Sequence, residues 1–118
     1  MANITVVSTP FFEKSTAIFN VSFFDETSAA VAPNSIYYSL TDVAGTAINS
    51  ISDKGYSNPA ASVYLILSSN DLRISSGFQL DQERRHLLVS GVYNSTLGNN
   101  LAIRHLIKFD VTNPGIIL

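Results

Sequence analysis

The sequence predicts an all-β protein, and three observations carry that prediction. Ile (11), Val (9), Thr (8), Phe (7) and Tyr (5) make up 40 of the 118 residues, and these side chains suit a pleated, half-buried surface. Apolar and polar residues alternate with a period of two through several segments, as a strand with one buried face requires. Signals for a helix of ordinary length are nearly absent. The length fits a single domain spanning residues 1–118. A hydrophobic content of 46% with four Pro and six Gly is too apolar for disorder.

Seven segments read as strands, each bounded by turn residues. The first is Asn3 to Val7, closed by Ser8-Thr9-Pro10. The second, Thr16 to Phe24, sets Ala17, Phe19, Val21 and Phe23 on one face against Thr16, Ile18, Asn20, Ser22 and Phe24 on the other. After the polar turn Asp25 to Ser28, Pro33-Asn34 leads into a third strand, Ser35 to Thr41, with Ile36, Tyr38 and Leu40 facing inward. Asp42-Val43-Ala44-Gly45 makes a hairpin connection with glycine at a positive φ, and a fourth strand is expected from Thr46 to Ile51. Asp53 to Pro59 reads as loop. The fifth strand, Ser62 to Ser68, is apolar on both faces, which predicts a central or covered position. A polar connection with room for one helical turn follows, Ser69 to Gly77.

Arg84 to Asn94 and Leu101 to Val111 form the last hairpin, around a loop from Asn94 to Asn100 that contains Gly98. Its apolar rows are odd-numbered on both strands. Directly opposed residues share a face, so paired numbers must add to an even value, near 194 or 196. Together the segments predict an antiparallel β-sandwich of about seven strands, immunoglobulin-like or fibronectin type III-like, with a small barrel as the alternative.

The composition narrows the function. No apolar run reaches the length of a membrane span, and Met1 to Thr5 lacks the charged and apolar regions of a signal peptide, so neither a membrane nor export is expected. Absence of cysteine excludes disulfides and thiolate chemistry. A net charge of −2 without a basic cluster argues against nucleic acid. His86 and His105 differ in parity and so point to opposite faces, His105 within an apolar row and His86 solvated beside Arg84 and Arg85. The close carboxylate pairs, Asp25 with Glu26 and Asp81 with Glu83, fall at expected turns. The sequence has no Gly-x-Ser-x-Gly elbow, no Ser-x-x-Lys and no calcium loop. The reading is non-enzymatic, with no catalytic, cofactor or metal residues. Asn-x-Ser/Thr triplets at Asn3, Asn20 and Asn94 are discounted as glycan acceptors, because chance yields them in so Asn- and Ser-rich a chain.

Both ends are rich in apolar residues. Phe11 and Phe12 precede Glu13-Lys14, and an apolar tail over 112–118 finishes in Ile116, Ile117 and Leu118 after Pro114-Gly115. Charged residues are only 14% of the chain, and depletion of charge marks contact surfaces. Phe11, Phe12, Ile116, Ile117 and Leu118 are therefore the candidate interface.

Several stretches resemble a known group. Phe23-Phe24-Asp25-Glu26, Val31-Ala32-Pro33, Ser35 to Asp42 and Gly45-Thr46, then Glu83 to Val89, Val92 to Ser95, Leu97-Gly98, Leu101 and Phe109-Asp110-Val111 look like small bacteriophage proteins with an immunoglobulin-like or fibronectin-like fold. Tyr38 stands where related sequences often carry Trp, and Ser28 where Gly is expected. The resemblance implies a virion structural protein, a capsid decoration or head- or neck-associated subunit, located in the virion and made in the host bacterial cytoplasm. It would contact other virion proteins (capsid, portal or neck) as a homo-oligomer or bound to a lattice, without cofactor. The alternatives are a tail-associated structural protein and a host-surface carbohydrate-binding, adhesin-type module, with Tyr37, Tyr56 and Tyr64 as the stacking platforms.

Overall fold

A computed structural model of the chain describes residues 2–73 and 82–112. The described residues form strands β1 (Ala2–Val6), β2 (Phe11–Phe12), β3 (Thr16–Ser22), β4 (Ser35–Thr41), β5 (Lys54–Gly55), β6 (Ser62–Ser68), β7 (Gln82–Ser95) and β8 (Gly98–Thr112), with a 3₁₀ turn at Ser69–Leu72. They make two sheets, one in the order β1-β8-β7-β4-β5 with β2 also on β8, the other β3-β6 alone. The protein is all-β, and neither sheet closes into a barrel.

The β7–β8 hairpin is the spine. Its register keeps Leu87 opposite Ile107 and Val89 opposite His105, with paired numbers adding to 194 from Gln82 to Tyr93, as the alternation demands. The expected seven-residue loop is shorter, however. Ser95 pairs with Gly98, leaving Thr96 and Leu97 as the turn. The surplus residue on β8 is absorbed where Asn100 takes a positive φ of 56°, its N–H bonded to Asn94 Oδ1 at 2.9 Å. An Asn tolerates that conformation at small cost.

The core lies between the sheets. Ala17, Phe19 and Val21 of β3 with Val63, Leu65 and Leu67 of β6 meet Ile36, Leu40, Leu87, Val89, Ile103, Ile107, Phe109 and Val111 of the larger sheet. Phe19 and Phe109 rings touch across the layers with centroids 5.1 Å apart. The odd-numbered row of β3 is buried, and in β4 Ile36 and Leu40 are buried with Tyr38 half-buried between them, on the faces that their alternation predicts.

Four expectations are corrected. The sheets are not antiparallel throughout, because β1 and β2 both run parallel to β8; periodicity shows which face is buried and is silent on strand direction. No strand forms over Thr46 to Ile51. Consecutive positive φ angles at Asn49 (53°) and Ser50 (60°) break the extended run, and Ile48 and Ile51 reach the core from a loop. Within the expected loop from Asp53 to Pro59, Lys54 and Gly55 instead pair with Tyr38 and Tyr37. Finally, β6 is neither central nor covered: among the described residues its sheet has two strands, and Tyr64 and Ile66 on its outer face are exposed.

Gly45 holds the expected positive φ of 90°. Gly91 marks a close approach within a regular ladder, since a Cβ there would stand 2.9 Å from the Ser35 carbonyl oxygen.

Candidate functional site

The β3–β6 sheet buries one face and exposes the other. Outward lie Ile18 opposite Ile66, Asn20 opposite Tyr64, and Ser22 opposite Ser62, with Phe24 continuing the row past the end of β3. None of these residues is charged. Ile18, Ile66 and Tyr64 are 58%, 59% and 60% exposed. Hydroxyl and amide groups beside them satisfy one another, the Ser62 hydroxyl donating to Asn20 Oδ1 at 2.8 Å. Exposed apolar surface of this kind, rimmed by polar groups, marks contact sites. The sequence carries the signal in the two-faced apolar pattern of Ser62 to Ser68, which predicts an internal position because alternation does not tell whether a second layer packs on that face.

The sheets part beside β3. Strands β1 and β3 bound a groove of about 410 Å³ whose lining includes Thr5, Val7, Phe19, Val21, His105 and Ile107. His105 packs its ring against Phe23 at 5.5 Å between centroids, and burial holds its pKa below the usual histidine value. The groove is thus uncharged at neutral pH. A smaller recess of about 220 Å³ lies near Asp42, Thr46, Asn49 and Arg73.

The candidate chemistry does not converge. His86 sits on the opposite face from His105, in a row with Thr41 and Lys108. It is half-buried rather than fully solvated, and its pKa is lowered by burial and by Lys108 and Arg84. Asp25 caps its own turn, accepting from the Thr27 hydroxyl at 2.6 Å and the Ala29 N–H at 3.1 Å, and these bonds depress its pKa. Glu26 accepts from the Tyr93 and Ser95 hydroxyls, each at 3.0 Å, while burial and Glu26 raise the Tyr93 pKa. Asp81 lies outside the described residues. Glu83 is not at a turn: it is in β7 with its side chain buried and ion-paired to buried Arg85. On the outer face Arg84 grips Asp110, directly opposite, through two contacts of 2.8 and 3.3 Å, which raises the Arg84 pKa. Among the described residues no cluster of three His, Asp or Glu could hold a metal ion, and no helix is long and apolar enough to cross a membrane.

The predicted interface residues separate. Phe11 turns into the core, with its ring edge on Phe19 at 5.5 Å and on Phe109 at 5.8 Å, because β2 pairs beside Val111. Phe12 is exposed. Ile116, Ile117 and Leu118 lie outside the described residues. The three tyrosines are not brought together. Tyr37 is exposed on the outer face of the larger sheet and Tyr64 on the outer face of the smaller one, while Tyr56 packs on the core. Comparison with protein-family models, with curated proteins and with solved structures finds no match.

Proposed function

We propose that the chain is a non-enzymatic structural protein that works by protein–protein contact, a phage virion subunit of the capsid-decoration or head- or neck-associated kind, as the sequence resemblance implies. The observation that supports the contact role is the uncharged outward face of β3–β6, on which Ile18, Tyr64 and Ile66 are each more than half exposed. The matching fold reading is immunoglobulin-like or fibronectin type III-like. In its support, β3 and β6 occupy one layer as strands B and E would, while β4, β7 and β8 neighbour one another in the other as C, F and G would.

The test is a pair of substitutions on exposed side chains. Tyr64→Ser with Ile66→Lys should leave far-ultraviolet circular dichroism and melting unchanged and abolish incorporation into particles purified from the producing host, read by immunogold electron microscopy. Particles that never carry the wild-type protein would refute the virion role, and particles that carry both proteins equally would refute the face.

A further inference from the structure

We infer that two copies of this chain pair through the open edge of β3, antiparallel about Phe19, joining their two-stranded sheets into one of four strands. The main-chain bonds Phe23 N–H to Ala61 O and Ser69 N–H to Ser15 O show that odd-numbered residues of β3 bond β6. In an antiparallel ladder the alternate residues then point their N–H and C=O groups away. The edge groups of Thr16, Ile18, Asn20 and Ser22 have no main-chain partner among the described residues. The groove alongside β3 leaves this edge room for another strand.

Natural edges are blunted by Lys, Pro, bulges or shortness. The β5 edge is short and carries Lys54; β3 has none of these devices. A second copy fits better than a charged peptide, because the groove lining bears no carboxylate, lysine or arginine to select one. The same neutrality removes like-charge repulsion when the surface meets itself. Pairing Ile18 with Asn20 of the other copy, and Thr16 with Ser22, keeps both core rows on one side and forms about eight main-chain hydrogen bonds. Seven residues make an edge about 24 Å long. That falls short of the ~800 Å² per partner of a standard interface, so the dimer is concentration-dependent. This contact extends the assembly reading without resting on the virion role, and it is tested on the purified protein alone.

The chain lacks cysteine, so single-cysteine variants report without background. Residues 18 and 20 of opposite copies would stand about 5.5 Å apart between Cα atoms, within disulfide reach. Each residue would be about 7–8 Å from its own counterpart, beyond that reach. An oxidised mixture of Ile18→Cys and Asn20→Cys should cross-link efficiently, and either variant alone poorly. Asn20→Pro removes an edge N–H and no main-chain bond of the β3–β6 ladder, and Asn20→Ala serves as the control for the lost side-chain bond from Ser62. The proline variant alone should weaken association in sedimentation equilibrium, by about tenfold or more, with unchanged circular dichroism. A strict monomer at millimolar concentration, equal cross-linking of the single variants, or cross-linking of Tyr64→Cys with Ile66→Cys in their place would overturn the assignment.

Discussion

Glu83→Ala should be among the most damaging single substitutions in this domain. Glu83 and Arg85 share the core face of β7, and their side chains are only 7% and 2% exposed. The guanidinium also donates to the Arg73 carbonyl at 2.9 Å and the Arg84 carbonyl at 3.1 Å. Two neutral acceptors remain when the carboxylate is removed, but among the described residues the charge then has no counter-ion in a place water barely reaches. Breaking a buried pair from one side costs about 3–5 kcal/mol, a large share of the roughly 5–15 kcal/mol that holds a typical domain. For a chain of this size the melting temperature should fall by about 10 °C or more. Replacing both partners, Glu83→Leu with Arg85→Met, removes charge and counter-charge together and should cost about 1 kcal/mol or less. Urea unfolding followed by circular dichroism measures all three proteins. A Glu83→Ala variant within about 1 kcal/mol of wild type, or a double variant as unstable as the single one, would refute the argument.

Gly91→Ala should destabilise by about 1–2 kcal/mol, overpacking against the Ser35 carbonyl oxygen outweighing the entropy gain in the unfolded chain; equal or greater stability in the same urea experiment would show that the approach is loose. Stability should also fall with acidity. Burial holds the folded-state pKa of His105 below its unfolded value, near 6.5, so the histidine is neutral in both states above that value. As pH drops, the unfolded chain takes up the proton first and is favoured. The urea midpoint should decline from pH 7 toward pH 5, and His105→Leu should flatten part of that slope. The remaining slope should include His86, whose pKa is lowered in the same direction.

Much of the fold was legible because burial imposes a period of two. The hairpin register followed from parity, since a one-residue slip would send Leu87, Val89, Ile107 and Phe109 to solvent. What failed to show was whatever leaves no periodic trace. Asn49 and Ser50 break the expected fourth strand through their backbone conformation, and Phe11, expected at an interface, turns inward because β2 pairs beside Val111. The candidate surface was half legible. Apolar character on both faces of Ser62 to Ser68 could be read directly, but whether the second face is covered depends on whether another layer packs against it.

Local alternation and turn chemistry suffice for the all-β class, six of the seven expected strands, the buried faces and the even hairpin register. Tertiary structure alone decided the direction of β1 and β2, the split into sheets of unequal size, and the exposure of Ile18, Tyr64 and Ile66. These depend on contacts between residues far apart in the chain. Pairing partners are chosen by long-range packing, and no local pattern encodes which strand edge remains open.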